Sequence, residues 1–146
     1  MDIIATELLI ATGMVMLTVL VHGAGLLGLG RLIGQGEDHR TLDPVSWRGA
    51  RLATMLALGL MALHGVEIWM YALLFNGLGA IPDLREAVYF STISYATIGD
   101  DSAAIAPDWK LLGAIEGING QLLLGWTVAF FVTVMTRVLR FGRGDD

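Results

Sequence analysis

Ile81-Pro82-Asp83-Leu84-Arg85-Glu86-Ala87-Val88-Tyr89-Phe90-Ser91-Thr92-Ile93-Ser94-Tyr95-Ala96-Thr97-Ile98-Gly99-Asp100-Asp101 is neither an ordinary loop nor a membrane span. Its first six residues form a helix start: Asp83 stands at the N-cap, and Glu86, three residues on, completes a capping-box pattern. From Ala87 to Thr97 the chain is too apolar for a solvated loop. It is also too short to cross a bilayer, which takes about 20 residues. A helix of this kind enters the membrane and returns. Non-helical backbone at membrane depth survives only where protein surrounds it or where it lines water, so the segment implies a cavity or pore.

Apolar runs flank it. Leu52 to Phe75 precedes it, interrupted by His64 and Glu67, and Gly117 to Thr136 follows it without a charge. Earlier still, Leu8 to Gly30 holds only His22 as an ionisable group. Each run is long enough to span. The first has an acidic flank, Asp2 and Glu7, and is too long for a signal peptide, so it is expected to be retained. Composition agrees: the 146 residues are 55% hydrophobic and 16% charged, with a mean hydropathy of +0.66. Soluble domains carry about a quarter charged residues. Such a chain is not disordered. With 9 Lys+Arg against 14 Asp+Glu, it is not expected to bind nucleic acid. Without cysteine it has no disulfide, thiolate metal site or Cys nucleophile. The expectation is one all-α membrane protein with lipid as its surroundings.

The cations orient it. Arg31, Arg40, Arg48 and Arg51 lie in or beside the first connection, and Arg137, Arg140 and Arg143 follow the last span. Only Arg85 and Lys110 fall between the second and third spans. The positive-inside rule therefore predicts an outside N-terminus and a cytoplasmic C-terminus, with 76–110 on the outer side. Trp47 and Trp109 fall where interfacial aromatics are expected.

The order of span, short helix, Thr97-Ile98-Gly99-Asp100-Asp101 and span resembles the two-helix pore unit of the potassium-channel superfamily, from Leu52 to the C-terminus. It is most similar to small bacterial ion-channel proteins with an extra N-terminal helix. Supporting stretches are His64-Gly65-Val66-Glu67-Ile68-Trp69, Ala87-Val88-Tyr89-Phe90-Ser91, Trp109-Lys110-Leu111-Leu112-Gly113-Ala114, Asn119-Gly120 and Gly125-Trp126. The resemblance implies a peripheral transmembrane helix over 1–34, a cytoplasmic connection over 35–51 and a pore domain over 52–140. Within the pore domain it implies an outer helix 52–76, a pore helix 83–97, a filter 97–101 and an inner helix 110–140, before a short cytoplasmic tail 141–146. One pore unit per chain implies a homotetramer in a bacterial cell (inner) membrane. No soluble ligand domain is expected in this chain.

A potassium filter reads Thr-Val-Gly-Tyr-Gly-Asp, and four copies aim backbone carbonyls and the Thr hydroxyl at the axis. Thr97, Ile98 and Gly99 match its first three positions, while Asp100, Asp101 and Ser102 replace Tyr, Gly and Asp. The spacing from Gly99 to Trp109 favours substitution over deletion. The replaced glycine adopts a backbone costly for residues with a Cβ. The replaced Tyr packs behind the filter in the family, so the outer carbonyl sites are expected to widen or vanish. Thr-Ile-Gly followed by an acid resembles cyclic-nucleotide-gated channels and the bacterial sodium–potassium channel, which implies weak selection among K⁺, Na⁺ and other monovalent cations. In a tetramer Asp100 and Asp101 would form carboxylate rings suited to Ca²⁺ or hydrated Mg²⁺ as permeant or blocking ions. The alternative is that these acids only cap the turn and face solvent. No other cofactor is expected.

His64 and Glu67, at i and i+3, can interact on one helix face. Glu67 should face protein, as a proton-sensitive brace behind the filter or, more simply, as a structural partner of the short helix through Tyr89 or Thr92. The pair could seed a metal site, but no third ligand lies nearby in sequence. Glu116 is a further candidate filter support. His22 reads as a packed residue without a role. Gly117 and Gly120 are candidate hinges, and they equally permit close packing. Asn119 or Gln121 is expected to touch the filter or line the cavity. Among Thr127, Phe130, Phe131, Thr133 and Met135, the pair Phe131 and Met135 are candidates for a gate. The first span carries no arginine ladder and is expected to be a packing element rather than a voltage sensor.

The leading expectation is thus a tetrameric cation channel and not an enzyme. A non-conducting scaffold or regulatory subunit that keeps the fold is the alternative. An intramembrane hydrolase using Asp100 and Asp101 ranks below both, because adjacent acids normally point apart.

Overall fold

The computed structural model describes residues 3–36, 46–98 and 104–138. These form helices α1 (Ile3–Gly36), α2 (Trp47–Gly77), α3 (Leu84–Tyr95) and α4 (Lys110–Val138), the last entered through a 3-10 turn at Pro107–Trp109. The described residues contain no strand. The three long helices are each apolar and long enough to cross a membrane. At 12 residues, α3 is not.

Side-chain contacts set the directions. α1 and α2 are antiparallel: His22 meets Glu67, a Cβ on Gly25 would meet Leu63, and one on Gly59 would meet Leu29. α1 and α4 run the same way, because Glu7 at the start of α1 accepts from the Leu111 and Leu112 amides (3.1 and 3.3 Å) at the start of α4. Those amides lack intrahelical acceptors, and a carboxylate also complements the partial positive charge of a helix N-terminus. α1 is therefore tied to the start of α4 near its own N-terminal end.

Ser46 caps α2 by accepting from the Gly49 amide at 3.1 Å. Between α2 and α3 the chain turns at Gly79 (φ +68), where the lack of a Cβ permits the left-handed backbone. Asn76 Nδ2 holds this turn by donating to the Ile81 and Pro82 carbonyls at 3.3 and 2.8 Å. The Ala106 amide donates to the Ala80 carbonyl (3.0 Å), joining this turn to the entry of α4.

The interior is layered. One apolar cluster joins Ala11 and Met14 of α1, Tyr71 and Phe75 of α2, Phe90 of α3 and Leu112 of α4. A second joins Leu26, Leu56, Leu60 and Met135 at the other end of the bundle. Buried polar side chains occupy the level between: Thr18, His22, Glu67 and Asn119. Only 17%, 28% and 28% of the most apolar windows of α1, α2 and α4 are buried within the chain. The remaining apolar surface requires lipid or other protein around it.

Candidate functional site

α3 begins as its sequence dictates, with Asp83 at the N-cap accepting from the Glu86 amide at 2.9 Å. Its buried stripe is Ala87, Phe90, Ser91 and Tyr95, the i, i+3, i+4, i+8 spacing of one helix face. The helix closes when the Thr97 amide donates to the Ser94 carbonyl (3.0 Å) and the Ile98 amide to the Ile93 carbonyl (2.9 Å). This bond pair is the Schellman closure, which places one residue in the left-handed region. That residue is Thr97, at φ +54, a β-branched side chain where glycine is the usual occupant. Ile98 beyond it is 74% exposed. Gly99, Asp100 and Asp101 of the expected filter lie outside the described residues.

Behind the end of α3 stands a buried polar cluster drawn from all four helices. Glu67, fully buried, accepts from His22 Nδ1 at 2.8 Å through Oε1. Its Oε2 meets His64 Nδ1 at 3.2 Å and accepts from the Tyr95 hydroxyl. Tyr95 Oη also lies 2.9 Å from His64 Nδ1. On the far side of both rings, Thr127 Oγ1 is 2.9 Å from His64 Nε2 and 3.3 Å from His22 Nε2. The Trp126 ring lies against His22 with centroids 5.3 Å apart. A second bridge crosses three helices: Asn119 Nδ2 donates to Thr18 Oγ1 (2.7 Å) and to Tyr71 Oη (3.1 Å).

Several expected residues sit elsewhere. The i, i+3 pairing of His64 and Glu67 is made, but their partner on the short helix is Tyr95. Tyr89 is 56% exposed, and the Thr92 hydroxyl donates to the Val88 carbonyl of its own helix at 2.7 Å. Both lie off the Ala87–Ser91–Tyr95 stripe, so helical phase turns them away from Glu67. Glu116 is buried at the α3–α4 contact beside Ser91, without hydrogen-bonding geometry to it or to another described residue. Asn119 is consumed by the Thr18–Tyr71 bridge, and Gln121 is exposed.

Gly117 and Gly120 stand where α4 crosses the end of α3. A Cβ on Gly117 would lie 3.1 Å from the Ser94 carbonyl oxygen, and one on Gly120 only 2.3 Å from that of Tyr95. Close approach accounts for both glycines. Met135 is buried in the second apolar cluster, which takes it away from a constriction, and Phe131 is partly buried against that cluster. The α4 face that packing leaves exposed carries Ile118, Leu122, Ala129 and Val132.

Sequence reasoning missed His22, Tyr95, Thr127 and Glu7. A signal existed for His22: an ionisable side chain inside a span is expected to face protein and to have a named partner. Another existed for Tyr95, at the eight-residue spacing from Ala87. Thr127 carried none.

Residues 53–137, more than half of the chain, match the family model described as "Ion channel". No curated protein and no solved structure matches the chain.

Proposed function

This chain belongs to the ion-channel family, and from that premise we propose that four copies form a cation pore around a common axis. It is thereby a transport protein rather than an enzyme. The observation that carries the pore reading is a 12-residue helix, Leu84–Tyr95, held between two helices long and apolar enough to span, and ending two residues before Thr97, where the candidate filter 97–101 begins. A helix C-terminus carries partial negative charge, so four copies of α3 aimed at one axis would favour a cation there. Glu116, buried against the same end of α3, and the Glu67 cluster brace this segment from behind.

Asp100 and Asp101 replace the residues that narrow a potassium filter, and four copies of each make the outer mouth strongly anionic. The pore therefore discriminates weakly among monovalent cations and concentrates Ca²⁺ and Mg²⁺ at its entrance. The N-terminus lies outside and the C-terminus in the cytoplasm, as the arginine distribution requires.

Purified protein in liposomes tests this reading, with K⁺, Na⁺ and Ca²⁺ flux compared with and without external Mg²⁺. The expected result is flux of similar size for K⁺ and Na⁺ that Mg²⁺ suppresses. Asp100→Asn with Asp101→Asn should weaken Mg²⁺ suppression by at least about tenfold, equivalent to about 1.4 kcal/mol of lost attraction. Strict K⁺ selectivity, or unchanged suppression in the double variant, would overturn the acidic-mouth reading.

A further inference from the structure

His22, His64 and Glu67 bring two imidazole nitrogens and a carboxylate oxygen within 4.8 Å of one another. His22 and Glu67 are fully buried, and His64 has a side-chain exposure of 12%. We propose that these three residues bind a divalent transition-metal ion of the zinc class in the interior of the helix bundle. The inference goes beyond ion conduction and does not depend on it.

The donor set fits such an ion. Imidazole and carboxylate suit zinc and its neighbours rather than Ca²⁺ or Mg²⁺, which prefer oxygen alone. Two His and one Glu leave a position open in a tetrahedral shell. Tyr95 Oη stands beside it, in contact with both His64 Nδ1 and Glu67 Oε2. As a phenolate it would balance, together with the Glu67 carboxylate, the two charges of the ion.

Hydrogen-bond accounting supplies an independent argument. With both histidines neutral, His22 Nδ1–H donates to Glu67 and the Tyr95 hydroxyl does the same. Thr127 has one proton, but the unprotonated Nε2 of His22 and Nε2 of His64 both face its oxygen. If His64 instead carries its proton on Nε2, its Nδ1 lone pair faces the oxygens of Glu67 and Tyr95. In either case one lone pair faces another, and turning the Tyr95 hydroxyl to His64 Nδ1 only moves the conflict to the contact of Tyr95 Oη with Glu67 Oε2, at a buried site where unmet polar groups are costly. The cluster lacks one positive centre. A metal ion on the two Nδ1 atoms removes the conflict. Both Nε2–H groups then donate to the two lone pairs of Thr127 Oγ1, fixing both rings with Nδ1 turned toward the carboxylate. An extra proton, on one imidazole or on Glu67, is the rival solution.

The test uses the full-length protein in detergent, stripped with a chelator and titrated with Co²⁺ and then Zn²⁺. We expect one Co²⁺ per chain with the intense visible absorption of a four-coordinate site, displaced by Zn²⁺, and a rise in Tm on binding. His22→Asn keeps a donor toward Glu67 while removing the imidazole, and should abolish the absorption. Thr127→Val should weaken binding about 10- to 100-fold. His39→Gln should leave the titration unchanged. No absorption from folded wild-type protein, or absorption that survives His22→Asn, would overturn the site in favour of a metal-free brace holding one extra proton. Because the readouts are a spectrum and a Tm, a channel that fails to conduct would leave this result standing, and the reverse also holds.

Discussion

Thr97 holds a backbone conformation that costs a residue with a Cβ about 1–2 kcal/mol and that glycine adopts freely. The Ile98–Ile93 and Thr97–Ser94 hydrogen bonds keep it there, so the strain sits at the boundary between α3 and the candidate filter. Strain of this kind is retained where function needs the side chain. Thr97→Gly should therefore stabilise the folded protein by about 1 kcal/mol in thermal unfolding while altering ion flux. A loss of stability would mean that the Thr97 side chain makes compensating contacts in the assembled protein. Glu67 illustrates the opposite economy: its burial is tolerated because three polar side chains surround it, from residues 45, 28 and 3 positions away in sequence.

At the scale of elements, the α3–α4 crossing shows what the glycines of α4 are for. Gly113, Gly117 and Gly120 recur at three- and four-residue intervals and face Phe90, Ser94 and Tyr95 of α3. The Tyr95 carbonyl is backbone and cannot swing aside from a Cβ only 2.3 Å away. Gly120→Ala should lower stability by about 1–3 kcal/mol, the usual cost of overpacking a tight contact. Gly125→Ala, where a Cβ meets nothing within 4 Å in the chain, should be close to neutral or slightly stabilising. Paired thermal melts check both, and equal effects would show that flexibility rather than close approach governs these positions. α1, expected from its sequence to be peripheral, contributes Glu7, Thr18 and His22 to three buried contacts at successive levels of the bundle. Its small residues allow the approach, but its polar residues set the register.

For the whole molecule, the absence of cysteine makes orientation directly measurable. Glu86→Cys at the start of α3 and Arg48→Cys at the start of α2 both replace exposed residues. A membrane-impermeant thiol reagent should label the first on intact cells and the second only after permeabilisation. The reverse pattern would invert the topology drawn from the arginines. The wide apolar surface left on Ile118, Leu122, Val128 and Val132 of α4, and on Leu9, Leu20 and Leu27 of α1, calls for lipid or other protein around it.

Much of the architecture was local information. The three long apolar helices, the Asp83 helix start and the short helix between two long ones each follow from runs of neighbouring residues, because hydrophobic length and capping act locally in the chain. The i, i+3 contact of His64 with Glu67 was legible for the same reason. What only the tertiary structure decided was which distant residue meets which. Glu67 meets Tyr95 rather than Tyr89 or Thr92, Met135 packs inward rather than lining a gate, and His22 comes from 45 residues away to complete a three-residue cluster. The physical reason is helical phase. A rotation of about 100° per residue, set by the packing of an entire interface, determines which side chain faces a neighbour, and no short stretch of an almost uniformly apolar helix specifies it.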